Sequence, residues 1–195
     1  MSKNSETGLA TRERIIGTAR QLFAAGGYEG TSTETVLEKS GVSRGALYHH
    51  FHNKEALFAA VLEAVEADVA SATARASANA KDPVEALRTG FDAFLELARD
   101  PEVRQIVLID AHSVVGWQKW RAIDERHGFG RIKEALKLLA ANGLIGEETV
   151  NIYAHMLLAT LIEVAFLIAQ ARDPAAEAKI GRKAMNELLD RLLVG

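Results

Sequence analysis

The chain has no cysteine. That excludes a disulfide framework and thiol chemistry, and it suits a reducing cytoplasm. Proline is nearly absent. The three present all follow aspartate, as Asp82-Pro83, Asp100-Pro101 and Asp173-Pro174. No segment shows the period-2 alternation of a strand, and there is no internal repeat or low-complexity run. The N-terminus, MSKNSETG, lacks the apolar stretch of a secretory signal. Charge of one sign is not in excess either: 23 Lys and Arg stand against 26 Asp and Glu, a net of −3 with a pI near 6.1. With 195 residues, 48% of them hydrophobic, the chain can bury a sizeable core in one or two domains.

The richest stretch is residues 31–57, TSTETVLEKSGVSRGALYHHFHNKEAL. Thr31 with Glu34 has the form of a capping box, which predicts a helix to about Ser40 with Val36 and Leu37 inward. Gly41 suits the sharp turn that follows, where φ must be positive. Ser43 is a suitable N-cap for the next helix, whose Leu47 and Phe51 fall at i and i+4 on one face. Asn53 can cap a longer helix carrying Leu57, Phe58, Val61, Leu62 and Val65.

That spacing leaves Arg44, Gly45, Ala46, Tyr48 and His49 on an outer face. Arg44 can bond phosphate or the O6/N7 edge of guanine, and Ala46 offers a methyl to thymine. Gly45 and Ala46 lack bulk, so backbone can approach base edges. Ser43, Tyr48, His49 and Lys54 suit phosphate oxygens, which position a protein without reading sequence. The hydroxyls of Thr31, Ser32 and Thr33 complete the expected DNA-contacting set. The pattern is a helix-turn-helix with a major-groove recognition helix. A bare three-helix packing unit is the plainer reading, but the caps, the glycine and the small outer face agree on the first. Charge leans the same way: residues 1–55 hold 7 basic and 6 acidic side chains, the remainder 16 and 20. His49, His50 and His52 lack a cysteine or carboxylate to complete a zinc set, so neither a metal nor another cofactor is expected.

The run GVSRGALYHHFHNKEAL closely resembles the signature of TetR-like (tetracycline-repressor-like) transcriptional regulators, over residues from about 11 to 60. The resemblance implies DNA contact by Thr31, Ser43, Arg44, Gly45, Tyr48, His49 and Lys54, and packing by Leu47 and Phe51. Ala46 stands where Thr or Ser is frequent in that family, and His49 where Tyr is frequent. Both bear on which operator is read.

The whole is expected to be all-α with about nine helices: a tail over 1–9, a helix-turn-helix domain over 10–56 and a helical body over 57–195. A first helix from near Thr11 carries Ile15, Ile16, Ala19, Leu22 and Phe23 and stops at Gly26-Gly27. Arg12 and Arg14 at its start either reach phosphate or stay solvated. Each Asp-Pro pair marks a helix start, with Asp as cap and Pro in the first turn. The predicted body helices are 54–79, 83–99, 101–114, 117–142, 147–171 and 174–193, with Gly128 and Gly130 marking a kink or close packing. The apolar stretch VNIYAHMLLATLIEVAFLIAQA has the length of a membrane span, but Asn151, His155, Glu163 and Gln170 favour burial from two sides.

Leu161, Phe166, Met185, Leu188, Leu189 and Leu192 are the residues expected to pair two copies as a four-helix bundle, which the resemblance also implies. They could instead cover only their own core. A homodimer would present two recognition helices to two half-sites. Phe91, Phe94, Ile106, Ile109, Asp110, His112, Trp117 and Trp120 are candidate ligand contacts, or simply core. Asp110 either binds a ligand's donor or pairs with an arginine such as Arg121. The resemblance implies a small apolar or amphipathic effector. The expected partners are therefore double-stranded DNA, an effector and a second copy of the chain, with no membrane, in the cytoplasm. Two other classes compete. An enzyme is one, for which His155 and Glu163 lie two turns apart, although no nucleophile–base set or phosphate loop accompanies them. A regulator answering to a protein partner, or to none, is the other.

Overall fold

The computed structural model describes residues 3–193, with side chains from Gly8 onward. All regular elements among the described residues are helical. They are α1 (Lys3–Gly26), α2 (Thr33–Ser40), α3 (Arg44–His50), α4 (Lys54–Ala76), α5 (Pro83–Leu97), α6 (Pro101–Val103), a π-helical segment (Arg104–Asp110), α7 (Ala111–Arg126), α8 (Gly128–Ala141), a 3₁₀ turn (Glu147–Thr149), α9 (Val150–Gln170) and α10 (Pro174–Leu193).

Two compact units emerge: Met1–Val65 with Pro101–Trp120, and Glu66–Asp100 with Arg121–Gly195. This differs from the boundary expected at residue 56, because the segment 101–120 packs on the N-terminal helices. The first unit's core holds Ile15, Ala19 and Phe23 from α1, Val36 from α2, Leu47 and Phe51 around α3, and Leu57 and Phe58 from α4. Val103, Ile106, Val107 and Leu108 join them in burial. Each of the larger side chains contributes roughly 1.5–3 kcal/mol when removed from water.

Residues 3–9, expected as a tail, are the first turns of α1; residues 1 and 2 of that tail lie outside the described residues. Once a helix is nucleated by its buried stripe, adding residues at its end costs little, and Gly8 alone is a weak breaker. The 101–114 helix also differs from expectation. Only Pro101–Val103 is α before the π winding of Arg104–Asp110.

In the second unit α5, α8, α9 and α10 pack on one another. Asp82 caps α5 by accepting from the Glu85 amide at 2.8 Å. Asp173 caps α10 by accepting from Ala175 and Ala176 at 3.1 Å. Leu87, Phe91 and Leu95 of α5 are buried. Apolar α9 buries Ala154, Leu157, Leu158, Leu161, Ala165 and Ile168 against α8 and α10. Gly181 permits the α9–α10 crossing, since a Cβ there would sit 2.7 Å from Val164 Cγ1.

The long 117–142 helix of the sequence reading is interrupted at His127, whose backbone is non-helical. Gly128 and Gly130 mark close packing at this break. A Cβ on Gly130 would lie 2.4 Å from the Glu125 carbonyl oxygen, and one on Gly128 3.3 Å from Asp124 Oδ1. Asp124 is buried, pairs with Arg121 at 3.2 Å and accepts from the Phe129 backbone amide at the start of α8. Burial outweighs these partners and lifts its carboxyl from 3.8 to about 6.

Raised above its unfolded value, Asp124 takes up a proton on folding between about pH 4 and pH 6, and its ionised form is a cost at higher pH. Arg121, Glu125 and His127 are the charges around it. Asp124→Asn keeps an oxygen for the Phe129 amide and cannot ionise. Denaturant unfolding at pH 5 and pH 7.5 should show the variant gaining stability relative to the wild type at the higher pH. A difference that is the same at both pH values would contradict this.

Candidate nucleic-acid interface

The turn between α2 and α3 forms as its residues dictate. Gly41 sits at φ +64° and its amide donates to the Leu37 carbonyl at 3.0 Å. Ser43 caps α3 by accepting from the Ala46 amide at 3.2 Å. Phe51 ends α3, with its amide donating to Leu47 at 2.8 Å. Asn53 Oδ1 caps α4 through the Ala56 amide at 2.7 Å. Leu47 is fully buried and Phe51 nearly so, which fixes the rotation of α3.

One face of α3 is therefore left outward: Ser43, Arg44, Gly45, Tyr48 and His49 are exposed and Ala46 is half-buried. Arg44 is poised at the front of this face. Its guanidinium lies 3.5 Å from Glu34 and 5.4 Å from the centre of the Tyr48 ring. Glu34 is held ionised chiefly by its own backbone amide, then by the Thr33 hydroxyl, with Arg44 contributing less. Both Arg44 and Glu34 are about two-thirds exposed, so this pair is weak and DNA can displace it. Open space surrounds Gly45, where nothing lies within 4 Å of a hypothetical Cβ.

Two expected DNA contacts have their side chains turned inward. Thr31 is buried, and its hydroxyl donates to the carbonyls of Gly27 at 2.9 Å and Leu22 at 3.1 Å. It does not form the capping box. Ser32 is the N-cap of α2, accepting from the Thr35 amide at 3.0 Å. The distinction was invisible in the string TSTET, where either hydroxyl could cap. Lys54 donates to the carbonyls of Tyr28 at 3.0 Å and Thr31 at 3.2 Å, and its ammonium lies 3.9 Å from the centre of the Tyr28 ring. Its first duty is to hold the turn before α2. Arg12 and Arg14 are exposed on α1, with Arg12 5.4 Å from the Phe51 ring centre.

The expected ligand contacts fall in both units. Phe91 is buried and Phe94 half-buried on α5 of the second. In the first, Ile106 and Trp120 are buried, while Ile109 and Trp117 are about half exposed. His112 stands edge-on to both indoles, 5.4 and 5.5 Å between ring centres. Asp110 does not pair with Arg121, which bonds Asp124. It accepts from the Tyr28 backbone amide at 2.7 Å and from Gln105 at 3.1 Å. Nothing in the sequence pattern connects residues 28 and 110, so this partner could not be read beforehand.

Of the residues expected to pair two copies, Leu161, Met185 and Leu189 are buried within the chain. Phe166 and Leu192 are half-buried, and Leu188 is exposed. Of the α10 residues chosen from periodicity, Met185 and Leu189 thus belong to the chain's own core, while Leu188 lies outside it. The apolar side chains left outside are Ile152, Met156 and Leu167 on α9 and Ile180 and Leu188 on α10. His155 and Glu163 are both exposed, and the His155 ring lies tilted against Phe129, 4.7 Å between ring centres.

From this division of labour, two substitutions should behave differently. Arg44→Ala removes a side chain with no structural duty, so melting should be unchanged while sequence preference falls, by roughly 1–3 kcal/mol at one base pair. Lys54→Ala strips two carbonyls of a donor and should lower stability by about 1–3 kcal/mol. Thermal unfolding beside binding to a panel of duplexes separates them. An unchanged melting midpoint for Lys54→Ala would contradict its assignment as a clamp.

Comparison with known proteins agrees with this geometry. The description "Bacterial regulatory proteins, tetR family" matches residues 15–61, and "Tetracyclin repressor-like, C-terminal domain" matches residues 84–192, more than half of the chain. A TetR-family transcriptional regulator from Pectobacterium atrosepticum is 32% identical, with a TM-score of 0.80 over 100% of this chain and 99% of that one. The transcriptional repressor AcnR of Corynebacterium efficiens is 47% identical over 51 residues, 26% of this chain and only 27% of AcnR. The regulator FadR of Bacillus subtilis, solved with stearoyl-CoA, shares the fold at 18% identity and a TM-score of 0.71, covering 89% of this chain and 96% of FadR. A capped, outward-facing α3 on a buried three-helix scaffold, and matches to both ends of one family's architecture, place the chain in the TetR family of bacterial DNA-binding transcriptional regulators.

Proposed function

We propose that the protein is a homodimeric repressor that occupies a two-fold operator through α3 and leaves it when a small molecule binds. The observation that carries the DNA-binding part is the outer face of α3. Arg44, Tyr48 and His49 stand on a helix whose other face is fully committed to the core. Its backbone is unobstructed at Gly45, so base edges can approach closely. Arg44 is the base-reading residue, and Ser43, Tyr48 and His49 seat the helix on phosphates. Acting on DNA, the protein works in the cytoplasm.

A seven-residue helix reads few base pairs, and affinity multiplies when two copies read two half-sites. The second copy packs on Ile152, Met156, Leu167, Ile180 and Leu188, which one chain leaves exposed on α9 and α10. Release by an effector is what the TetR-like architecture supports. FadR of Bacillus subtilis was solved with an acyl-CoA, and a small apolar or amphipathic compound is the corresponding class here. Effector and operator must then prefer different conformations, so each weakens the other by the same factor.

The test is fluorescence anisotropy against DNA from upstream of the protein's own gene and against random duplex, at two salt concentrations. Specific binding tighter by about a thousandfold or more is expected at physiological salt. Equal and steeply salt-dependent binding to both would place the operator elsewhere, and no binding at low salt would remove the reading.

Ile180→Glu and Leu188→Glu should convert a dimer to a monomer in sedimentation velocity, because each puts a charge on the exposed apolar face. They should leave the melting of the monomer's own core intact. A wild-type protein that sediments as a monomer at micromolar concentration would end the dimer proposal.

A further inference from the structure

The segment Pro101–Trp120 belongs to the first unit but supplies none of the DNA-facing residues. One of its polar holds on that unit is made at Tyr28. The Tyr28 amide donates to Asp110 Oδ2 at 2.7 Å. The Tyr28 carbonyl accepts from Lys54 at 3.0 Å, and the same ammonium covers the ring. Lys54 is the first residue of α4, just beyond α3 and the Asn53 cap. One residue is therefore gripped on one side by the π-helical segment and on the other by the helix that carries α3's support.

The grip depends on how residues 104–110 are wound. In an α-helix each residue turns about 100°, so residues five apart point about 140° away from each other. A π-helix closes i→i+5 rings and brings such residues to the same side. Gln105 and Asp110 are five apart, and Gln105 Nε2 donates to Asp110 Oδ2 at 3.1 Å. Gly27, at φ +68°, leaves just the room this pair needs. A Cβ there would lie 2.9 Å from Gln105 Nε2 and 3.4 Å from Asp110 Oδ2. Ion pairs hold the segment elsewhere, Arg20 to Glu102 at 2.5 Å and Lys119 to Glu55 at 3.1 Å. Loss of the Asp110 bond alone thus releases the Tyr28 amide without detaching the segment, while Lys54 still holds the Tyr28 carbonyl.

We propose that Asp110 is a positioning residue for DNA binding: through Tyr28 and Lys54 it sets the placement of α3, and the π winding of residues 104–110 is what lets it do so. Rewinding the segment as α-helix turns Asp110 away from Gln105 and Tyr28 and loosens the recognition helix. This inference rests on the DNA-binding reading above.

The experiment compares the wild type with Asp110→Ala, Asp110→Asn and Gln105→Leu. The probes are a duplex that the wild type selects from a random-sequence pool and an unselected duplex, well below the melting temperature. Amide exchange at Tyr28 is followed in parallel. Asp110→Ala should weaken binding to the selected duplex about tenfold, the size of one lost hydrogen bond, weaken the unselected duplex by clearly less and speed Tyr28 exchange. Asp110→Asn, which keeps an acceptor oxygen, should stay within about threefold of wild type. Gln105→Leu should give a smaller loss in the same direction, and it decides the matter if Asp110→Ala does not fold. Unchanged affinity for the selected duplex in the folded Asp110→Ala or Gln105→Leu protein overturns the proposal. So does an equal loss on both duplexes, which marks general destabilisation. A wild type that selects no duplex overturns the DNA-binding reading itself, and this inference with it.

Discussion

Backbone groups in a tight turn have no helical partners, and the turn from Gly27 to Ser32 has to find them elsewhere. The Thr31 hydroxyl takes the Gly27 and Leu22 carbonyls, Lys54 takes those of Tyr28 and Thr31, and Asp110 takes the Tyr28 amide. A buried polar group left without a partner costs about 1–3 kcal/mol, so these bonds matter more by their loss than by their presence. They also tie together residues 26 and 82 positions apart in the chain. The placement of α2 and α3 follows from that turn, because α1 ends where it begins and α4 supplies its clamp.

The recognition helix has no independent stability. At seven residues it is too short to persist alone in water. Its rotation is set by burial of Leu47 and Phe51, and its ends by Ser43 and Asn53. Rigidity is borrowed from neighbours, and the outward residues other than Ser43 are free of folding duties. Arg44 is held only by a weak exposed pair with Glu34 and a ring contact with Tyr48.

Legibility in the sequence tracked the range of the interactions. Local signals were readable: the Gly41 turn, the Ser43 and Asn53 caps and the Asp-Pro helix starts each depend on residues within a few positions. The all-helical class and the outward face of α3 followed from them. Signals of intermediate range were half readable. Periodicity showed that α10 has an apolar stripe, but not whether its own chain or a second copy covers it, and Met185 and Leu189 went to the chain's own core. Long-range polar pairings were not readable at all. Asp110 with Tyr28, and Lys54 folded back on a turn, leave no trace in spacing. The π winding of Arg104–Asp110 is likewise invisible in RQIVLID, a string that fits an ordinary helix equally well.

The separation of duties around α3 bears on how such a protein changes over generations. Ser43 apart, the outer face consists of positions whose side chains hold up nothing, so they can be exchanged without testing the fold. The residues that hold the fold, Thr31, Leu47, Phe51 and Lys54, lie behind it or at its edge. A lineage can therefore drift from one DNA sequence to another through folded intermediates at every step. Selection on target choice and selection on stability act on different side chains of the same short segment.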